Sequence, residues 1–305
     1  MTTLLGIIKD GTLVPQETWK KLVISLSTPY DSLETNKERS KRSLSHLLTE
    51  AVKKRLQEKN AILFSGGVDS TTLAYLIKKQ KGEVTCYTVG IEGSDDIIWA
   101  RKAAQQNGFI LREKTLTLQE LEVVVKNVIR LTKSADIVTV GVGSVLYAAL
   151  AMAKREGFAS IFSGLGSEEL FAGYERHAKA QDLGMEAVHK ECILGLEGMW
   201  ARDLTRDFAI SSHFGISLLT PFLDRDIMKE ALSIHPMHKI SKDEKKIILR
   251  EAAEGLGLQK EFAWRKKQAS QYGSNFINGI EKLSKQKGFF LKKDYLESVL
   301  QSTNG

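Results

Sequence analysis

The chain has 305 residues, enough for one large domain or for one domain with a smaller appendage. With 42% hydrophobic and 27% charged residues, its composition is ordinary for a globular protein and excludes a low-complexity or fibrous chain. The formal net charge of +7 would suit an anionic partner, but the lysines are spread among glutamates, which favours a solvated surface over a nucleic-acid face.

We expect no membrane segment, secretory signal or disulfide framework. No apolar run approaches the roughly 20 residues that cross a bilayer, and "MTTLLGIIKDGTLVPQ" lacks a basic segment before a long apolar core. Cys86 and Cys192 lie far apart without CxxC spacing, which argues against a zinc site. These features together predict a cytoplasmic protein.

The first predicted unit, residues 1–43, is a hairpin followed by a linker. In "LLGIIKDGTLV" an Asp-Gly pair separates two apolar runs, which is typical of a hairpin with a tight turn. The polar residues from about 28 to 43 predict the linker. The second unit, residues 44–305, opens with apolar residues from Leu44 to Leu56 that recur at helical spacing.

Strands and helices then alternate as far as about residue 177. The predicted strands are "AILF", "EVTCYTVGI", "FILREKTL" and "FASIFSG". The predicted helices lie at 71–79, at 95–107 with Gly108 as C-cap, at 118–129, at 144–157 with Ser144 as cap, and in "SEELFAGYERH". Beyond Ala178 the pattern is mostly helical, with an irregular stretch, "SSHFGISLLTPFLD". This order predicts an α/β fold with a doubly wound, mostly parallel sheet and an α-helical carboxyl-terminal half.

The stretch "SGGVDS" follows the first of these strands and opens a helix. Gly66 and Gly67 let backbone N–H groups turn inward, and the helix start adds partial positive charge, so the turn would form a cradle for phosphate. Ser65 and Ser70 would add hydroxyl donors, and Asp69 would meet the phosphate through a Mg²⁺ ion. A plain capped turn is the alternative, and the lysine that a Walker motif needs is absent.

"SGGVDS" resembles the pyrophosphate loop of the N-type ATP pyrophosphatases, which cleave ATP between the α- and β-phosphates. Four further stretches resemble, in order, motifs of the synthetase domain of asparagine synthetases: "FSGLGSEELFAGYERH", "TPFLDRDIMKEAL", "KKIILREAAEGL" and "WRKKQASQYGS". The resemblance runs from about Leu44 to Ile280 and is closest to the short asparagine-synthetase-domain-containing branch. It implies an adenine nucleotide α-hydrolase-like fold and an AMP-forming carboxylate–amine ligase that uses ATP and Mg²⁺.

The same resemblance implies a site at the carboxyl edge of the sheet. Asp69 and Glu168 would hold Mg²⁺ on the pyrophosphate and act in catalysis, although the family has aspartate where Glu168 stands. The nucleotide would also lie against Ser163. Main-chain contacts from Val89 and Gly164 would hold its adenine, unless these two residues only pack.

A basic segment near residue 267 would supply a catalytic cation. Lys267 aligns with a family lysine near the α-phosphate, where it would offset developing negative charge. Its neighbours Arg265 and Lys266 leave open a merely solvated basic run. His177 is open between packing and substrate contact, and Asp224 is expected to fix local structure.

Several positions depart from the family pattern. Thr2 stands where glutamine-dependent enzymes have a catalytic cysteine, and no glutaminase domain fits before Leu44, so nitrogen would come as free ammonia or from a separate glutaminase subunit. Leu165 replaces a glutamate thought to deprotonate the ammonia, which leucine cannot do. Residues 217–221 lose the acid and the arginine of the family's ExRxPFLD pattern, which suggests a changed acceptor.

These observations lead to three hypotheses of function. The first is a ligase that adenylates a small-molecule carboxylate, with aspartate as first guess, and then joins ammonia to it. The second is an RNA-modifying relative with the same loop, although nothing in the sequence supplies an RNA-binding module. The third is a nucleotide-binding regulatory protein without synthetase activity. The two termini offer segments for a homodimer or for packing.

Overall fold

The structure is a computed structural model that describes residues 8–9, 12–266 and 269–304. Its strands are β1 (Ile8–Lys9), β2 (Thr12–Leu13), β3 (Ala61–Leu63), β4 (Thr85–Gly90), β5 (Ile110–Thr115), β6 (Ser160–Phe162) and β7 (Ser217–Leu219). β1 and β2 pair antiparallel, as the predicted hairpin requires. The other five form one parallel sheet in the order β5-β4-β3-β6-β7, which confirms the predicted α/β class.

Helices precede, connect and follow the strands. Their bounds are α1 (Gln16–Leu26), α2 (Lys37–Lys53), α3 (Val68–Lys81), α4 (Asp95–Asn107), α5 (Leu118–Thr132), α6 (Ile137–Arg155), α7 (Ser167–Leu170), α8 (Glu175–Gln181), α9 (Met185–Met199), α10 (Thr205–Phe214), α11 (Arg225–Ser233), α12 (Ile247–Leu256), α13 (Lys260–Ala263), α14 (Ser270–Gly273), α15 (Phe276–Gln286) and α16 (Lys292–Asn304). A π-helical turn, Trp200–Leu204, joins α9 to α10. The sheet is therefore followed by an α-rich carboxyl-terminal half, as predicted.

The strand order places a crevice beside β3. From β3 the chain builds outward through β4 to β5, and it then returns to the other side of β3 to add β6 and β7. The direction of winding thus reverses between β3 and β6. In open α/β sheets, ligands bind beyond the carboxyl ends of the strands at such a reversal. The turns after β3 and β6 are those that carry the predicted site residues.

Successive side chains of a strand point to opposite faces of the sheet, and here the side chains on both faces are buried in a hydrophobic core. Ile62, Phe64 and Cys86 lie in the core on one face, and Tyr87 and Val89 lie in the core on the other. The first of these cores also contains Trp19 of α1, which is fully buried and donates its indole N–H to the carbonyl of Leu196 at 2.7 Å. The amino-terminal helix is thus packed against α9.

Several segments differ from the prediction. The helix expected in "SEELFAGYERH" is interrupted, because α7 ends at Leu170 and α8 begins only at Glu175, with Ala172 at φ +55° between them. The helix α1 lies in the unit expected to hold only a hairpin and a linker.

Residues 37–43, expected as linker, form the start of α2, where Asn36 caps the helix by accepting the N–H of Arg39. Their charged side chains lie mainly on the solvent side of an amphipathic helix, which hides the periodicity. Within the stretch expected to be irregular, Ser217–Leu219 form the fifth strand, which pairs with β6. A strand of three residues is too short for alternation to be visible.

The helix predicted to begin at Ser144 begins two turns earlier. α6 runs over Ile137–Arg155 with Asp136 as its cap, and Ser144 is buried in its middle. The β-branched residues in "IVTVGV" have low helix propensity, which explains the error. Among the described residues, α6 is the one helix long and apolar enough to cross a membrane by length and composition alone, and half of that window is buried inside the protein.

Candidate nucleotide site

The turn after β3 is built as the sequence predicts. The hydroxyl of Ser70 accepts the N–H of Ser65 at 3.3 Å and donates to the carbonyl of Gly67 at 3.3 Å. The hydroxyl of Ser65 accepts the N–H of Gly67 at 3.4 Å. The first intrahelical bond of α3 runs from Thr71 to Gly67. The N–H groups of residues 68–70 therefore face the turn without intrahelical partners, as helix starts do.

Close packing requires glycine at position 66 and leaves little room for a side chain at position 164. Gly66 has φ +68°, and a Cβ added to it would lie 2.7 Å from the backbone carbonyl of Trp99 on α4. On the opposite side, a Cβ added to Gly164 would lie 3.1 Å from Cβ of Asp69. The turns after β3 and β6 are thus pressed together, which brings Asp69 near Ser163, Gly164 and the start of α7.

Lys246 joins the two predicted carboxylates. Its ammonium donates to both oxygens of Asp69 at 2.8 and 3.0 Å, to Oε1 of Glu168 at 2.6 Å and to the hydroxyl of Ser167 at 3.3 Å. Burial alone would lower the pKa of Lys246, but the two carboxylates outweigh it and raise that pKa. The residue has φ +58°, a conformation that is costly for a non-glycine residue and that is found preferentially at functional sites.

Asp69 and Glu168 are brought together as predicted, and the ammonium of Lys246 lies between them. Among the described residues no group of three or more His, Cys, Asp or Glu side chains could hold a metal ion. Two carboxylates are nevertheless what Mg²⁺ uses when substrate phosphates complete its shell. The residues present therefore fit a Mg²⁺ ion that arrives with a nucleotide.

Two cavities meet at this bridge. The larger, of about 360 Å³, is lined by Ser65, Asp69, Ser70, Val89, Ser163, Gly164 and Glu168, together with apolar residues of α6 and charged residues near α10. The smaller, of about 240 Å³, lies beside the start of α3 and is lined by Lys245, Lys246, Arg250, Arg265 and Lys266 as well as by Asp69 and Glu168. One cavity is thus largely apolar and the other rich in cations.

The main chain of Val89 faces the larger cavity. The N–H of Thr85 donates to the carbonyl of Asn60 at 2.9 Å, and the carbonyl of Tyr87 accepts the N–H of Phe64 at 2.8 Å. These two alternate residues of β4 therefore turn their peptide groups toward β3. Val89 is the next residue in that alternation, and β3 ends opposite Tyr87. Its N–H and carbonyl therefore point past the end of β3, where a ligand could bind them.

Arg265 supports the turn from behind. Its guanidinium donates to the carbonyl of Ser65, pairs with Asp96 at 3.1 Å and lies 5.0 Å from the ring centroid of Trp99. The side chain is 3% exposed. Burial lowers the pKa of Arg265, and Asp96 partly offsets that effect. The predicted basic segment is therefore not merely solvated, because one of its cations fixes the turn.

An ionic cluster lies at the far end of the larger cavity. We define it by Glu169, Arg202, Asp203, Arg206 and Asp207. Arg202 pairs with Glu169 at 2.6 Å and with Asp203 at 2.7 Å, while Arg206 pairs with Asp203 at 3.1 Å and with Asp207 at 2.7 Å. Burial, with a contribution from the charge of Asp203, raises the pKa of Glu169 to about 7. Arg202 and Asp203 of the cluster lie on the π-helical turn, a feature frequent at functional sites.

Leu165 lines the larger cavity and packs against the core. The carboxylates of the ionic cluster that line the same cavity, Asp203 and Asp207, are paired with arginine. No unpaired carboxylate among the described residues of the lining takes the place of a base at position 165, because Asp69 and Glu168 are bound by Lys246 and Asp96 is bound by Arg265.

The remaining predicted residues separate into packed and undescribed ones. His177 is fully buried, and its Nδ1 accepts the N–H of Tyr174 at 3.1 Å, so it packs. Asp224 caps α11 and pairs with Arg55 at 2.9 Å, which is the structural role expected of it. Lys267 lies outside the described residues.

Sequence reasoning missed Lys246, Arg265 and the ionic cluster. Lys246 lies in "KKIILREA", a stretch that resembles a family motif but in which neither lysine stands out from its neighbour. In "WARDLTRD" an Arg-Asp pair recurs after four residues, which places both pairs on one helical face. Arg265 gave no signal of its own, because a buried arginine cannot be told from a solvated one within a basic run.

A glycine-containing turn at the start of a helix, at the reversal point of a parallel sheet, is typical of α/β nucleotide-binding proteins. The family model described as asparagine synthase matches residues 43–184 and 180–286. The chain therefore belongs to the asparagine synthase family, and membership supports an enzyme.

Individual relatives agree with the family. The chain is 32% identical, over 95% of its length, to a Methanocaldococcus jannaschii protein whose name places it among the glutamine-hydrolyzing asparagine synthetases. It is 27% identical, over 84% of its length, to asparagine synthetase B of Escherichia coli. It covers 59% and 49% of these two relatives, so it spans about half the length of the proteins it matches.

Among solved structures, NMN synthetase from Francisella tularensis aligns over 89% of this chain and 97% of its own, with a TM-score of 0.38 and 11% identity. At that level of similarity it bears neither on the fold nor on the function.

Proposed function

We propose that this chain is an AMP-forming ligase that adenylates a carboxylate with ATP and then joins nitrogen to it as an amide. The observation that carries the proposal is the contact of Lys246 with Asp69 and Glu168, which lies where the two cavities meet beside the turn after β3. Aspartate is the first acceptor to test, because the family and the relatives are named for asparagine synthesis.

The nucleotide would span the two cavities. Its base and ribose would occupy the larger cavity, beside Val89, Ser163 and Gly164. Its β- and γ-phosphates would lie at the free N–H groups of the turn after β3, on the side of the smaller cavity where the ammonium of Lys246 lies, while Lys245 and Lys266 stay at the solvent rim. This placement sets the α-phosphorus near Lys246.

Asp69 and Glu168 would hold Mg²⁺ once phosphates are present. The ion would supply neutralisation of the charge on the leaving pyrophosphate. Lys246 would then be released from at least part of its contact with the two carboxylates. Its ammonium would be free to turn toward the α-phosphate.

In the first half-reaction, an acceptor carboxylate oxygen attacks the α-phosphorus while the bond to the β-phosphate oxygen breaks. Lys246 would offset the charge that develops on the equatorial oxygens. Lys267 is proposed as a second cation for the same charge. The turn of Ser65–Ser70 would hold the departing pyrophosphate.

In the second half-reaction, ammonia attacks the acyl carbon of the adenylate and AMP leaves. An ammonium ion must lose its proton before it can attack, and Leu165 offers no base. We therefore propose that neutral ammonia from solution or from a separate glutaminase subunit is the nucleophile. The rate of amide formation should then rise with pH.

ATP–pyrophosphate exchange tests the first half-reaction. Labelled pyrophosphate is incubated with the full chain, ATP, Mg²⁺ and one acid at a time from a panel that begins with aspartate. Exchange that depends on one acid supports adenylation and identifies the acceptor. No exchange with any acid, in a protein that binds ATP, would favour a nucleotide-binding regulatory protein instead.

A further inference from the structure

Gln271 carries a buried amide oxygen that the fold does not satisfy. Its side chain lines the larger cavity and is 6% exposed. Within the described chain its Oε1 is buried and has no hydrogen-bond partner. Native proteins satisfy nearly all such atoms, and each exception calls for an explanation. A ligand that binds in the cavity would provide one.

The segment that carries Gln271 is fastened to the end of β4. The N–H of Ile91 donates to the carbonyl of Ser274 at 3.0 Å, and the hydroxyl of Ser94 donates to the carbonyl of Gly273 at 3.0 Å. Gln271 precedes Gly273 and Ser274 by two and three residues, which is less than one helical turn. Val89 precedes Ile91 by two residues. The free peptide groups of Val89 and the amide of Gln271 thus belong to the same end of the cavity.

An apolar wall completes this end. Val138, Val142 and Val145 recur at four and three residues along α6, so they share one face, and all three line the cavity. An apolar face beside a donor, an acceptor and an amide suits a flat heterocycle with polar edges. Adenine has these properties, because its ring faces are apolar and its edges alternate between donors and acceptors.

We propose that Gln271 recognises the N6/N7 edge of the adenine ring of ATP and sets the preference for adenine over guanine nucleotides. Oε1 would accept from the exocyclic N6 amino group, and Nε2 would donate to N7, which is the pairing that glutamine makes with adenine in nucleic acids. The last torsion of glutamine is broad and roughly two-fold, so the amide can turn to present both atoms. The peptide groups of Val89 are left for the N1/N6 edge.

Guanine would be rejected by the same amide. Its O6 and N7 are both acceptors, so O6 would face Oε1 without a proton between them. A buried acceptor pair of this kind costs the desolvation of both groups. This proposal rests on the proposed function, because it requires a nucleotide in the larger cavity.

Titration calorimetry of the full chain tests the proposal, with Mg²⁺ in excess and ATP, GTP or 7-deaza-ATP as ligand. 7-Deaza-ATP carries C–H in place of N7. We expect the wild type to bind it roughly three- to tenfold more weakly than ATP, the value of one hydrogen bond. Q271L should bind the two equally and should lose most of its preference for ATP over GTP. Q271E should bind 7-deaza-ATP at least as tightly as ATP, because a carboxylate repels the N7 lone pair.

The neighbouring Tyr272 gives a matched control, since it is 55% exposed and does not line the cavity. Y272A should keep the wild-type ratio of ATP to 7-deaza-ATP. If Q271L binds ATP but keeps the wild-type preferences, the assignment of Gln271 is overturned while the nucleotide site stands. If the folded wild type binds none of the three nucleotides, the proposed function fails and this inference with it.

Discussion

The ammonium of Lys246 lies 2.8 Å from Oδ2 of Asp69 and 2.6 Å from Oε1 of Glu168, although the three residues are far apart in the sequence. K246M should reduce ATP–pyrophosphate exchange by roughly a hundredfold or more, the usual effect of removing a group that stabilises transition-state charge. The variant leaves two carboxylates face to face, so folding is checked first by circular dichroism.

Lys245 provides the control for that variant. It is the preceding residue, it is more exposed, and it pairs with Glu175 on the surface. K245M should therefore retain exchange within about twofold of the wild type, as surface substitutions usually do. Equal losses in K245M and K246M would contradict a special role for Lys246.

Arg265 should position the turn rather than touch the substrate. Its guanidinium donates hydrogen bonds to the Ser65 carbonyl and to Asp96 at the same time. Lysine lacks the planar, forked set of donors that makes this possible. We expect R265K to raise the KM for ATP roughly tenfold and to leave the KM for the acceptor unchanged, because a displaced turn weakens phosphate binding.

Steady-state kinetics of R265K, with ATP and the acceptor varied in turn, measures the two KM values separately. Lys266, whose side chain is 78% exposed, supplies the matched control, and K266M should leave both constants unchanged. A parallel rise of both KM values in R265K would indicate general loosening of the fold instead of a displaced turn.

The sequence allowed the sheet and the turn after β3 to be predicted because their signals are local. "SGGVDS" combines a strand end, a glycine pair and a helix start within six residues, and the structure builds that turn as predicted. The strand β7 could not be found, because three residues carry no period. Its place in the sheet depends on pairing with β6, which is a non-local contact.

The same difference between local signals and non-local contacts explains which residues of the site could be predicted. The family resemblance predicted Asp69 and Glu168 as partners at the carboxyl edge of the sheet, and the strands that precede them, β3 and β6, are neighbours there. Lys246 could not be placed between them, because its position depends on how α12 packs back across the sheet. In the ionic cluster, the repeated Arg-Asp pair of "WARDLTRD" is a local signal, but the pairing of Arg202 with Glu169 depends on a non-local contact between α7 and the π-helical turn.

His177 should contribute to the loss of stability in acid. Burial, together with the charges of Arg176 and Lys239, lowers the pKa of His177 from an ordinary 6.5 to about 3. Between these values the unfolded chain binds a proton that the folded chain does not, so the free energy of unfolding falls as the pH falls from 6.5 toward 3. The slope is up to about 1.4 kcal/mol per pH unit.

The variant H177N tests that slope, because asparagine can still accept the N–H of Tyr174. The free energy of unfolding of both proteins is measured in urea between pH 4 and pH 8. The advantage of the wild type over H177N should narrow as the pH falls, because only the wild type carries the histidine. Unfolding free energies that run parallel over this range would show that His177 does not titrate as argued.

Leu165 should limit the second half-reaction, because it lines the cavity at the position where the family resemblance implies a base. L165E would place a carboxylate there, and a positioned general base typically contributes a hundredfold or more to a proton transfer. We expect at least a tenfold rise in the rate of amide formation at neutral pH, where most of the added nitrogen is ammonium. The rate of ATP–pyrophosphate exchange should stay within about twofold, because adenylation needs no base at this position.

L165Q provides the control. Its glutamine has nearly the same shape and hydrogen-bonding reach as the glutamate of L165E but no basicity, so L165Q should form amide at the wild-type rate. If L165Q accelerates amide formation as much as L165E does, polarity rather than proton transfer limits this step, and the argument from Leu165 is wrong.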